Sequence, residues 1–200
     1  PVEIGTKIGG SFEDQQESFG DMGLLLVLIL LLVYIVMAAQ FESLRYPFII
    51  MFSVPFAFVG LILSLFITGE TLNLMSLIGG VMLVGIVVKN GIVLVDYINL
   101  NRERGMGINQ AVISGGKSRL RPVLMTSATT ILGMVPMAMG IGEGSELWQP
   151  MGIAIVGGLT VSTLVTLVII PTVYCWFASR EVKSYRKKHS LHLSRRTVKE

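Results

Sequence analysis

The chain has 200 residues, of which 52% are hydrophobic and only 14% charged, with a net charge of +3 and a mean hydropathy of +0.71. That composition excludes an ordinary soluble domain and a disordered chain, and it makes the lipid bilayer the solvent in which the residues have to be read. The single cysteine, Cys175, has no intrachain partner and reads as a small apolar wall residue.

Apolar stretches long enough to cross about 30 Å of hydrocarbon as helix recur at 23–39, 47–67, 73–98, 122–140 and 150–177. The predicted fold class is an all-α membrane protein, a polytopic transmembrane helix bundle of five helices. Residues 1–22 precede it, and a basic tail, 179–200, follows. The first span is leucine-rich all round, which fits a helix facing lipid over much of its surface. The linker "ESLRYP" ends at Pro47, whose missing N–H suits the first turn of the next helix. Pro55 and Gly60 lie inside the second span, so a kink is predicted near Ser53 to Pro55. The third span carries Gly79, Gly80, Gly85 and Gly91 and is expected to be an interior helix that neighbours approach closely. After Gly105 and Gly107, "INQAVISGGKSRLRP" reads as a short cytoplasmic helix ending at Gly115 and Gly116. Pro122 then opens span four, whose first turns hold Thr126, Ser127, Thr129 and Thr130. Span five begins after Pro150 and is rich in Gly, Ser and Thr.

Basic residues set the orientation, because short loops rich in Lys and Arg stay cytoplasmic. Arg45 follows span one, and Arg102, Arg104, Lys117, Arg119 and Arg121 lie between spans three and four, whereas "TGET" and "GIGEGSELWQ" hold none. Residues 1–22, with one lysine against five acids, are therefore expected outside. The tail holds eight of the sixteen basic residues and is expected inside, solvated or against anionic lipid headgroups. The chain starts at Pro1 without a leader pattern and is expected to be part of something longer.

The stretch that demands an explanation is "GIVVKNGIVLVDY", Gly85 to Tyr97. A lysine at a helix centre costs about 2.5–3.5 kcal/mol on insertion scales unless it is paired or wetted. Lys89 stands roughly nine residues, about 13 Å, from the inner end of its span, so snorkelling gives only partial relief. Asp96 lies two turns on along the same face, about 10 Å away along the axis, which is too far for an ion pair and better suited to the inner interface. No other span holds a carboxylate at mid-depth, so either the pair is missing or the partner of Lys89 lies elsewhere. Thr126 and Thr130 share a helix face; they can line a wet path beside Lys89 or bond their own i−4 carbonyls. No intramembrane protease motif, metal-ligand pattern or nucleic-acid fold is visible, and both histidines, His189 and His192, fall in the tail.

"VGIVVKNGIVLVDYIN", followed by "RLRPVLMTSATTILGMVPMA", resembles the tenth and eleventh transmembrane helices of the resistance-nodulation-division multidrug exporters, in their hydrophobe/amphiphile efflux branch. "GGSFEDQQESFGDM" resembles the end of that family's second periplasmic porter region, and "AAQFESLRYPFIIMFSVPFAFVG" its eighth-to-ninth helix junction. The resemblance implies the last five of twelve helices, without the first seven, most of the porter domains or the docking domain. It implies that Lys89 answers a pair of aspartates on a helix of the missing N-terminal part, and that Arg119 and Thr126 belong to the same proton-relay network. Asn90 follows the lysine as the family pattern requires, and Asp96 and Thr130 are secondary candidates. It further implies a drug/proton antiporter of the bacterial inner membrane that exports amphiphilic drugs without a cofactor. Such a protein works as a homotrimer with a periplasmic adaptor protein and an outer-membrane channel. Two alternatives are an exporter of metal ions from the same superfamily, for which a carboxylate is expected where Lys89 stands, and an accessory subunit of protein export, which lacks the "VKNGIVLVDY" motif.

Overall fold

A computed structural model describes the backbone of residues 10–142 and 144–197, and the side chains of 18–142 and 144–178. Six α-helices follow one another: α1 (Gly10–Gln40), α2 (Arg45–Met51), α3 (Val54–Thr68), α4 (Leu74–Glu103), α5 (Ile108–Ala138) and α6 (Gln149–Thr197). A single 3-10 turn occupies Ser145–Leu147, and no strand occurs among the described residues. Since α2 and α3 are two halves of one broken segment, five rods form the bundle. The expectations for residues 1–9, and for the side chains of the basic tail, fall outside the described residues.

Local chemistry explains most of the helix boundaries. The break between α2 and α3 falls at Phe52 and Ser53, where Pro55 removes a backbone donor near the start of α3. Ser53 Oγ donates to the Ile50 carbonyl at 2.7 Å and so satisfies an acceptor at the break. Gly69 closes α3 in the left-handed region, at φ 74°. Asn73 and Ser76 then start α4 with a reciprocal capping box: Ser76 N donates to Asn73 Oδ1 at 2.9 Å, and Asn73 N to Ser76 Oγ at 3.0 Å.

The helix α6 is the hub, packing against α3, α4 and α5. One apolar cluster holds Ile50, Val88, Leu94, Ile98, Ala111 and Ile170, and a second holds Ala57, Leu61, Leu83, Val87, Ala154 and Leu159. The α3/α6 seam admits no side chain at Gly157, where an added Cβ would run into Ser64. In contrast, α1 touches the bundle mainly near Met37 and leaves Leu24, Val27 and Val36 exposed. An exposed apolar surface of this kind is a lipid-facing one in a bilayer.

Two expectations change. Residues 108–116 do not form a separate short helix, because α5 runs unbroken through Gly115, Gly116 and Pro122. Gly115 is a packing residue, since a Cβ there would lie 2.6 Å from Ile98 Cγ1, and contacts of Ala111 and Val112 with the core hold this stretch against α4. The helices long and apolar enough to cross a membrane are Ser18–Gln40, Arg45–Thr68, Leu74–Glu103 and Gln149–Ala178. The fifth rod, α5, falls short of the expected 122–140: its apolar part after Arg121 stops at Ala138, giving 17 residues, or about 26 Å of helix.

Candidate functional site

Lys89 and Asn90 lie at the middle of α4, fifteen residues after Leu74. Val87, Val88, Gly91, Leu94 and Val95 turn into the bundle, which puts Lys89 on the open face and Asn90 half-buried beside it. A cleft of about 200 Å³ opens there between α4 and α5. Ile86, Lys89, Asn90 and Val93 line it from α4, and Pro122, Val123, Thr126, Ser127 and Thr130 from α5. Four of the six candidate residues, Lys89, Asn90, Thr126 and Thr130, thus share one cleft. Lys89 has no hydrogen bond or ion pair among the described residues.

The threonine hydroxyls of the cleft are turned back onto their own helix. Thr126 Oγ1 donates to the Val123 and Pro122 carbonyls at 3.0 and 3.2 Å, and Thr130 Oγ1 to the Thr126 carbonyl at 2.9 Å. Their oxygens keep lone pairs for a guest, while their protons are committed. Asn90 does something different, since its Nδ2 donates to Ser127 Oγ at 3.3 Å. Thr163 Oγ1 on α6 donates to the same oxygen at 2.9 Å, so three helices meet at one hydroxyl.

Arg119 does not line the cleft. Its guanidinium lies over the Tyr97 ring, with Cζ 4.6 Å from the centroid, and its Nε is buried without a hydrogen-bond partner. Asp96 is separated from Lys89 and opens onto a different, wider cavity of about 530 Å³ near the C-terminal end of α4. Gln40, Phe41, Glu42, Tyr46, Asn99, Arg102 and Glu103 line that cavity with it. Behind its wall, Tyr174 Oη donates to Asn99 Oδ1 at 2.5 Å and accepts from Arg102 Nη1 at 3.2 Å, while its ring stacks on Tyr46 at 5.8 Å.

Sequence reasoning names the polar run 126–130 but misses Ser127 as its buried member and Thr163 as the partner. A signal exists: Ala111, Gly115, Val123 and Ser127 are spaced in fours along the inward face of α5, and Arg119 falls on the same stripe. That stripe also explains why the Arg119 Nε is buried.

Helices long and apolar enough to cross a membrane, with a lysine midway along one of them beside a polar cleft, are the features of a membrane protein with a functional charge among its spans. The chain belongs to the AcrB/AcrD/AcrF family of resistance-nodulation-division transporters, whose pattern matches residues 1–178. It is 39% identical over 175 residues to the swarming motility protein SwrC of Bacillus subtilis (strain 168), covering 87% of this chain and 17% of that protein. It is similar to two crystal forms of a heavy metal efflux pump, with TM-scores of 0.77 and 0.71 at 34% and 35% identity. These matches cover 85% and 83% of this chain and 17% of the pump. The chain therefore spans 17% of the length of these relatives.

Proposed function

We propose that the chain is the C-terminal, lysine-bearing part of a proton-driven exporter, the last five of its twelve transmembrane helices, placed in a bacterial inner membrane with residues 1–22 periplasmic and the tail cytoplasmic. The observation that carries this reading is Lys89, exposed at mid-helix on the rim of a polar cleft, with no partner among the described residues. Such a charge needs an acid, and the remaining part of a chain six times as long has room to supply one. Each carboxylate facing Lys89 at about 4 Å would hold it by roughly 4 kcal/mol at an effective dielectric of about 20. Protonation of a carboxylate removes most of that attraction and shifts a two-state equilibrium by roughly a thousandfold. A proton taken up becomes a repacking of α4.

In this scheme Thr126 and Thr130 offer lone pairs to a proton carrier in the cleft, and Arg119 keeps a fixed positive charge on the route toward the inner side. Asp96, on its separate cavity, stands outside the relay. The cargo is an amphiphilic drug, carried by a homotrimer that works with a periplasmic adaptor and an outer-membrane channel. A second reading, export of a metal ion, is favoured by the likeness to a heavy metal efflux pump. Cells stripped of their own exporters and supplied with a full-length exporter containing this chain decide both points. Drug cargo is expected to lower ethidium accumulation, and Lys89→Ala to restore it. Protection against silver or copper without any effect on ethidium would establish the metal reading, and undiminished export by Lys89→Ala would remove the lysine from the mechanism.

A further inference from the structure

Most hydroxyls on α5 and α6 bond their own helix. Those of Thr126, Thr129, Thr130, Thr160, Ser162 and Thr172 donate to a carbonyl three or four residues earlier on their own helix, which is the default for an isolated hydroxyl in an apolar helix. Ser127 and Thr163 break that rule. They are 3% and 4% exposed, Thr163 donates to Ser127, and Ser127 also accepts from Asn90, the residue next to Lys89. With two donors on it, Ser127 Oγ has both lone pairs in use, and the Asn90 carboxamide is held with its Nδ2 toward α5 and its Oδ1 left as an acceptor. The chain of groups runs without a gap from the Lys89 turn of α4, through α5, into α6, the helix on which α3, α4 and α5 all pack.

We propose that Ser127 and Thr163 are positioning residues of the proton cycle: a hydroxyl strut that fixes the Asn90 carboxamide beside Lys89 and delivers the displacement of that turn to α6. The inference rests on the proton-driven reading above. A bond between hydroxyls on two helices has discrete made and unmade arrangements, which is what a two-state movement needs and what apolar contact alone does not provide. The presence of a buried hydroxyl is not enough by itself, because Thr166, one turn further along α6, buries its Oγ1 with no partner. Thr166 is therefore the internal control, matched in residue type, helix and burial.

The test uses inside-out membrane vesicles carrying the full-length exporter, with ethidium as the probe and rates normalised to the amount of inserted protein. Thr163→Val keeps the side-chain volume and removes the hydroxyl; Ser127→Ala removes the acceptor. Each is expected to lower the maximal rate roughly three- to tenfold, the range for one interhelical hydrogen bond, with the half-saturating ethidium concentration unchanged. Each is also expected to shift the pH at which the rate is half-maximal, a readout that looser packing would leave in place. Thr163→Ser should recover the parent's rate and pH profile, and Thr166→Val should match the parent throughout. If Thr163→Val and Ser127→Ala keep the parent's rate and profile while Lys89→Ala abolishes transport, the strut is wrong and the proton-driven reading stands. If neither variant inserts, the link is structural and the proposal is overturned. If Lys89→Ala transports like the parent, the reading itself fails and takes the strut with it.

Discussion

Substitution of Gly157 by alanine measures how tightly the hub helix is packed. A Cβ at Gly157 would run into Cβ and Oγ of Ser64 and come within 3.1 Å of the Gly60 carbonyl oxygen. The Ser64 hydroxyl bonds the Leu61 carbonyl at 2.8 Å and the Ile153 carbonyl at 3.1 Å, so it is held in place and cannot swing aside without losing a link between α3 and α6. Overpacking of this kind costs about 1–3 kcal/mol. The broken interhelical bond adds about 0.6 kcal/mol, an average for membrane helices. Better helix propensity of alanine returns up to about 1 kcal/mol. The net expectation is a loss of about 1–3 kcal/mol. Gly85→Ala is the matched control, because a Cβ there meets nothing within 4 Å and only the propensity gain of about 0.5–1 kcal/mol remains. Unfolding of the 200-residue chain by sodium dodecyl sulfate in mixed micelles, followed by helicity, reports both. Equal midpoints for the two variants, or a higher one for Gly157→Ala, would refute the close α3/α6 seam.

Three further outcomes are expected. Tyr174→Phe keeps the stack on Tyr46 but removes the bonds to Asn99 and Arg102, so the C-terminal end of α4 should lose about 1 kcal/mol and exchange its amides faster, as read by hydrogen exchange over 98–103. Asn73→Ala opens the capping box of α4 and should cost about 1 kcal/mol of stability, read as a lower unfolding midpoint in the same micelle titration, with no effect if the cap is not formed. Arg119→Lys keeps the charge but not the planar stack over Tyr97, and ethidium export should fall several-fold in the full-length exporter; a rate equal to the parent's would take Arg119 out of the relay.

How far the sequence can be read depends on whether the information is local. Pro55 forces the break before α3 wherever the segment sits, because a missing N–H and a fixed φ are properties of one residue. The asparagine and serine that cap α4 are local in the same sense. Gly115 is not: two adjacent glycines look the same whether they end a helix or admit Ile98, and only α4, folded back alongside, selects the second. The length of α5 is lost with that choice. At the candidate site, the isolation of Lys89 is legible because a charge in an apolar run is conspicuous on any helix. Which hydroxyl turns inward is a tertiary matter. Thr126 and Ser127 are neighbours about 100° apart around α5, and Thr163, thirty-six residues away in sequence, decides that Ser127 is the bonded one. Arg119 shares the spacing of the Thr126 face, yet the packed stripe of α5 carries its guanidinium onto Tyr97 and away from the cleft.

Proton movement through Lys89 can be observed without reference to any particular resistance phenotype. Full-length exporter sealed into proteoliposomes with an acidic lumen and a trapped pH dye should, in its parent form, show lumenal alkalinisation when ethidium is added outside. Lys89→Ala, inserted to the same amount, should leave the gradient standing. Dissipation of the gradient by Lys89→Ala at the parent's rate would contradict the assignment of Lys89 as the charge on which the proton cycle turns.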